Sequence, residues 1–415
     1  MTKHTSHPAP DPAGLGNRGG PPGNGQPGYL TLGQDLWLLF FSTLLWSVGA
    51  GLYIYTWPAY VRELGADAPE LGLLYAIGFA TMAVSYLPGG YLADRFDRKW
   101  VMVAGWAVAT PAPLLYILAQ HWTHLVPGVI LYNISMLSGP ALRAYMTHLS
   151  PPHRMSTTFA IVDASWPLGM IISPAIGGIW ADRAGMRPVL WAAFGLFVLS
   201  TVVLLPLHPQ RPHHAGEGSD LGLRELLALP GVPALLALGA GTYLVQHIAL
   251  PFVTPFLQDV AHLHLAQVGL LGSAVALGGS LLSPPLGWLA DRMGRARGVA
   301  ISLLLMVLSL GTLMVSSSMW VLGLSGFLRG AGMVSWSLLA AMVATSLPPR
   351  GRGLGFALFS LANGLAMAAG PYPGGWMYRV NPYLPFAISS LLLLTIATVL
   401  AFRQKFHMTG PASPQ

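Results

Sequence analysis

The chain has 415 residues, of which 53% are apolar and only 8% charged, with a mean hydropathy of +0.58. A soluble protein devotes about a quarter of its residues to charge, so this one is solvated mainly by lipid and is not a soluble enzyme. The net charge of +7 comes from basic residues dispersed between apolar runs, which argues against a nucleic-acid partner, and the absence of cysteine excludes disulfides and thiolate metal sites.

Residues 1–33 differ from the rest: the first 28 hold seven glycines and six prolines, a composition that cannot form a core and predicts a disordered tail. No apolar stretch with a cleavage site lies near the start, so no removable signal peptide is expected. A membrane-spanning helix needs about 20 residues. Apolar runs of that length fall at 36–60, 71–93, 100–120, 125–148, 157–180 and 188–207. After a polar linker, 208–230, six more fall at 232–257, 267–290, 298–317, 320–346, 353–377 and 383–402. The expected organisation is a six-helix bundle over 34–207, a second over 231–403 and a short tail over 404–415. Six is an even number, so both bundles insert in the same orientation, related by an axis along the membrane normal.

The two halves also repeat at a fixed offset of 197 residues. Ala93-Asp94-Arg95 recurs as Ala290-Asp291-Arg292, Pro58 as Pro255, Gly72-Leu73-Leu74 as Gly269-Leu270-Leu271, and Pro151-Pro152 as Pro348-Pro349. The matched residues are largely glycine, proline and charge, which set backbone shape and membrane depth. With the N-terminus inside, Lys3, Arg18, Arg95, Arg98, Lys99, Arg154, Arg211, Arg224, Arg292, Arg295, Arg297, Arg350, Arg352, Arg403 and Lys405 face the cytoplasm. Only Arg62, Arg183, Arg187 and Arg379 face outward. That asymmetry predicts a multi-pass protein of the cell membrane with both termini cytoplasmic.

Between spans 2 and 3 lies Gly90-Tyr-Leu-Ala-Asp94-Arg95-Phe-Asp97-Arg98-Lys99, echoed between spans 8 and 9 by Gly287-Trp-Leu-Ala-Asp291-Arg292-Met-Gly294-Arg295. This pair resembles the signature loop of the major facilitator superfamily (MFS), and the resemblance covers roughly 35–402. It implies an all-α membrane fold of two pseudo-symmetric bundles around a central cavity, opening alternately to each side, and makes Gly90, Asp94, Arg95, Arg98, Gly287, Asp291, Arg292 and Arg295 gate residues. The glycine would let another helix approach, and the aspartate would bond the facing helix N-terminus in one conformation only. Alternatively, the two aspartates are plain turn caps. One departure is Asp97, where the family has glycine; aspartate tolerates a left-handed turn better than most residues.

Gly169-Met-Ile-Ile-Ser173-Pro174-Ala-Ile-Gly177-Gly178 lies in span 5 and Gly370-Pro371-Tyr-Pro-Gly374-Gly375 in span 11. A proline inside a helix removes a hydrogen bond and kinks it, while small residues permit tight packing. The pattern looks like the motif of drug and proton antiporters in the same superfamily, although span 5 carries Ser173 where that motif has glycine. A general helix kink explains it equally well.

Polar residues inside spans are few and costly, so each is a functional candidate. Asp163 in span 5 and Arg143 in span 4 lie at similar depth and could pair, either as a proton-coupling element or as a permanent ion pair. Spans 1, 4, 7 and 10 line the cavity in the resembling family. That makes Tyr53, Trp57, Asn133, Gln246, His247, Arg329 and Trp336 cavity candidates, with His247 equally readable as a hydrogen-bonded core histidine. No metal, cofactor or phosphate-binding loop is expected, so transport would be driven by gradients. The reading is a monomeric secondary transporter exporting a small amphipathic or drug-like molecule, coupled to protons. Import of a sugar or nucleoside, and a receptor or scaffold that no longer transports, are the alternatives.

Overall fold

The computed structural model describes residues 33–211, 222–348 and 352–403. Most of the Gly/Pro-rich tail, the middle of the linker and the 404–415 tail therefore lie outside the described residues, as does Arg350. Among the described residues, twelve helices are long and apolar enough to cross a membrane. They are α1 Gln34–Ile54, α2 Ala68–Arg95, α3 Arg98–Leu118, α4 Trp122–Leu149, α5 Met155–Ala184 and α6 Met186–Leu204. The second set is α7 Val232–Asp259, α8 Leu265–Met293, α9 Arg295–Val315, α10 Met319–Ser346, α11 Leu354–Val380 and α12 Leu384–Phe402. Each overlaps one of the twelve runs expected from the sequence.

Local signals explain where these helices start. Asp67 caps α2, accepting from the Glu70 amide at 2.9 Å while the Glu70 carboxylate accepts from the Asp67 amide at 2.8 Å. At the same point of the second half, the His264 amide donates to the Gln267 side chain at 3.0 Å as α8 begins. Proline at the first turn starts the short helix Trp57–Glu63 that follows α1.

Packing repeats with the sequence. In the first half α1 lies on α5 and α6, α2 and α3 lie on α4, and α3 also lies on α6; in the second, α7 lies on α11 and α12, α8 and α9 on α10, and α9 on α12. The halves meet through α5 against α8 and α2 against α11, which is again one pairing made twice. The helix breaks match as well. A 3-10 turn at Ser135–Ser138 interrupts α4 and Gly330 interrupts α10. The chain breaks after Ile54, and α7 contains a 3-10 turn at Leu250–Phe252.

The two Pro/Gly motifs differ in backbone shape. Helix α5 stays helical through Pro174, whereas α11 breaks at Gly370 before Pro371. And Asp97 is not left-handed: its φ is −58°, while Gly294 at the equivalent position has φ +94°. The same turn is thus made by different backbone routes in the two halves. Asp97 instead caps α3, accepting from the Lys99 amide at 3.0 Å.

Candidate substrate cavity and gates

The residues of the two motif loops lie at what is called here the basic end. Every hydrogen bond and ion pair between halves, among the described residues, lies toward the opposite end. The Arg62 guanidinium donates to Asp259 at 3.0 Å, and these two positions are themselves 197 residues apart, so they pair across the pseudo-two-fold axis. The Leu265 amide at the start of α8 donates to Asp182 at the end of α5 at 3.1 Å. Its mirror contact sets Arg379, at the end of α11, 3.5 Å from Asp67 at the start of α2. The Thr254 hydroxyl donates to the Tyr55 carbonyl at 2.7 Å.

The Pro/Gly motifs serve this closed end by close approach. Gly178 leaves no room for a side chain against the backbone of Leu265 and Gly269, and Gly375 none against Ala68 and Pro69. Gly177 and Gly374 face inward to their own halves, against the carbonyls of Leu52 and Ile248. Pro174 and Pro371 present their carbonyls to Gly269 and Gly72. So the glycines act chiefly as packing sites between helices, and only α11 gains a break.

At the basic end no hydrogen bond or ion pair joins the halves among the described residues. Asp94 and Asp291 are exposed and make no hydrogen bond with any described residue. Gly90 and Gly287 meet nothing where a side chain would sit in this conformation; Gly89 packs against the backbone of Leu137. The arginines are occupied locally. Arg95 lies 4.7 Å from the Tyr91 ring centre and Arg292 4.1 Å from that of Trp288, stacked over side chains one turn earlier. Arg98 reaches the Ala144 carbonyl at 3.4 Å and the Gln210 side chain at 2.9 Å. Arg295 reaches the Ala341 carbonyl at 3.3 Å and the Thr345 hydroxyl at 2.6 Å.

Between the closed end and the loops lies a cavity of about 620 Å³. Of the expected residues, Gln246, His247, Arg329 and Trp336 line it. Tyr53, Trp57 and Asn133 instead line a neighbouring compartment of about 210 Å³, which shares Ile54, Tyr75 and Phe79 with the first. The four-span lining implied by the resemblance is therefore incomplete: α2 supplies Tyr75, Phe79, Met82 and Tyr86, and α8 supplies Val268, Leu271 and Val275. Tyr75, Phe79, Met82 and Tyr86 are spaced to share one helix face, a signal that was legible in the sequence.

Side-chain roles differ within this set. Nδ1 of His247 donates to the Tyr243 carbonyl at 2.8 Å and its ring meets Phe79 edge-on at 4.9 Å, the arrangement of a satisfied core histidine. Trp336 packs edge-to-face on Tyr243, with ring centres 5.2 Å apart. The Asn133 amide donates to the Val129 carbonyl at 2.8 Å. Tyr53 and Trp57 both pack on Tyr116. Arg329 is 8% exposed and has no hydrogen bond or ion pair to any described residue.

Arg143 and Asp163 do come together: one guanidinium nitrogen lies 2.9 and 2.7 Å from the two carboxylate oxygens. Both side chains are about half exposed, 56% and 46%, so this pair is not enclosed in the core. A further buried carboxylate escaped the sequence reading. Asp35, at the start of α1, accepts from the Tyr145 hydroxyl at 2.7 Å and lies 3.0 Å from the His208 ring. With Gln210, which holds Asp97 and Arg98, His208 ties the start of the linker to the first half.

With this geometry in place, comparison with known proteins gives one consistent answer. The family model of the Major Facilitator Superfamily matches residues 39–264 and 235–414. The chain belongs to that superfamily; it is a multi-pass membrane transporter and not an enzyme. It is 29% identical over 315 residues to the multidrug resistance protein MdtG of Serratia proteamaculans, covering 72% of this chain and 75% of that protein. It is 27% identical over 178 residues to the quinolone resistance protein NorA of Staphylococcus aureus, covering 42% and 46%. The solved nucleoside transporter NupG superimposes with a TM-score of 0.69 at 15% identity, covering 91% of this chain and 100% of that one, which shows a shared fold.

Proposed function

We propose that this protein is a proton-coupled exporter of small amphipathic molecules, with the basic end and both termini in the cytoplasm. The observation that carries this reading is the cavity itself, sealed at the opposite end by paired contacts and walled mainly by apolar side chains, six aromatic residues and four methionines among them. Such a wall holds an amphipathic molecule by area and not by a fixed hydrogen-bond pattern, which suits substrates of varied shape. The names of its relatives MdtG and NorA, which concern drug resistance, point the same way. In this reading the conformation described is open to the cytoplasm. Closing the basic end would bring Asp94 and Asp291 to facing helix starts while the Arg62–Asp259 contact parts.

Proton coupling falls to Arg143 and Asp163. Protonating Asp163 removes the charge that holds Arg143, and freeing that arginine changes the charge facing the cavity mouth. The protein acts as a monomer, since the translocation path lies within one chain. Inverted vesicles carrying it should accumulate an amphipathic dye when the interior is made acidic, and lose it on addition of an uncoupler. Accumulation by right-side-out vesicles, with none in inverted ones, would establish import in its place.

A further inference from the structure

Arg329 ends the first segment of α10, one residue before the break at Gly330. Its position is fixed by backbone packing: Gly330 sits against Gly278 and Gly279 of α8, and Gly278 against the Phe327 carbonyl, all too close to admit side chains. The backbone at Arg329 is therefore held in place, and its side chain lines the cavity with no hydrogen-bond or ion-pair partner among the described residues. A buried, unpaired arginine costs several kcal/mol, and a fold keeps one when something else supplies the counter-charge.

Among the described residues, no Asp or Glu lines the cavity to supply it. Asp163, the carboxylate deep within α5, is bound to Arg143. The Tyr55 phenol, within electrostatic range of Arg329, is a neutral neighbour at ordinary pH. A second donor waits nearby. The Gln246 amide oxygen faces Gly332, one turn beyond Arg329 and also in the cavity wall, while its amide nitrogen is buried with no partner; a half-turn of the amide would present that nitrogen in place of the oxygen. Around these donors the wall is apolar, with Phe79, Trp336 and Met333.

We propose that Arg329 and Gln246 form the binding site for the anionic group of the substrate, so that the cavity selects aromatic or aliphatic monocarboxylates and similar amphipathic anions over lipophilic cations. The carboxylate takes the guanidinium as a charge-assisted partner and the Gln246 amide as a neutral one, and the apolar remainder lies against the aromatic wall. A cation in the same cavity would meet an uncompensated positive charge. This inference rests on the cavity being the transport site, as argued above, but concerns ligand charge and not direction.

Binding to the full chain in detergent tests it without any transport step. The probes are pyrenebutyrate, its methyl ester and a trimethylammonium analogue of equal length, read by energy transfer from tryptophan. The carboxylate should bind about tenfold tighter than the ester, and the cation weakest of the three. Arg329→Gln should erase the carboxylate advantage while leaving ester affinity within about twofold, which shows the cavity intact; Arg329→Lys should keep part of the advantage. An unchanged preference in Arg329→Gln would overturn the proposal. So would a cation that binds as tightly as the carboxylate to the unaltered protein, a result that needs no variant to fold. If saturating chloride displaces the carboxylate but leaves the ester bound, the arginine holds an inorganic ion and the proposal fails. Carboxylate preference without accumulation in inverted vesicles would instead sink the export reading and leave this one standing.

Discussion

Arg98 and Arg295 stand 197 residues apart and do the same thing: each guanidinium reaches a carbonyl 46 residues further on, Ala144 in the first half and Ala341 in the second. The residues just before them do not correspond. Asp97 caps α3 and binds the linker at Gln210, whereas Gly294 turns the chain with φ +94°. The contrast extends across the molecule. Contacts made by backbone and by glycine occur twice, as at Gly178 and Gly375, while charged groups inside the spans occur once. Arg143 and Asp163 have Ala340 and Ser360 as counterparts, and Arg329 has Tyr132. The two copies thus share a frame and divide the chemistry: a half-exposed ion pair in the first half, a buried cation unpaired among the described residues in the second. Shape must match on both sides for the halves to rock, but a charge needs to be present only once to couple or to bind.

The strongest way to break this picture is to spoil one shared packing site. Gly178→Leu should prevent α5 from seating on α8, at a cost of about 1–3 kcal/mol to the closed opposite end. A cysteine introduced near Leu265 should then label from that side at least about tenfold faster, and Gly375→Leu should do the same through α11 and α2. If only one of the two acts, the frame is not symmetric.

Asp163→Asn tests the divided chemistry. The variant should abolish uphill, pH-driven accumulation while leaving downhill exchange, because an amide at this position cannot take up and release a proton. Unaltered uphill transport in reconstituted vesicles would remove Asp163 from coupling. Asp94→Asn and Asp291→Asn should have smaller and similar effects, about two- to fivefold on transport rate, the scale of a carboxylate at a helix start. Equal accessibility of the basic end in all three proteins would leave the two aspartates as turn caps only. Last, Asp97→Ala should cost about 1 kcal/mol through the lost cap, read as a lower melting temperature. Gly294→Asp should cost a similar amount for a different reason, because the residue must take a positive φ.

The sequence was explicit about everything that depends on membrane depth and local backbone. Spans can be counted because a lipid environment admits only long apolar helices, and the duplication shows because glycines, prolines and loop charges hold fixed places along the chain. The pairing of Arg143 with Asp163 was legible too, since antiparallel neighbours of known length put them at one depth. What depends on helix rotation was not. The aromatic face of α2 entered the cavity without having been named, Tyr53 and Trp57 went to a separate compartment, and Arg62 and Arg379 proved to be latches across the halves as well as topology charges.

Depth along the membrane is a one-dimensional property that each helix carries in its own residues. Which side of a helix meets the cavity, and which charge is left without a partner there, is settled only when twelve helices pack against one another, because that rotation belongs to the neighbours as much as to the helix.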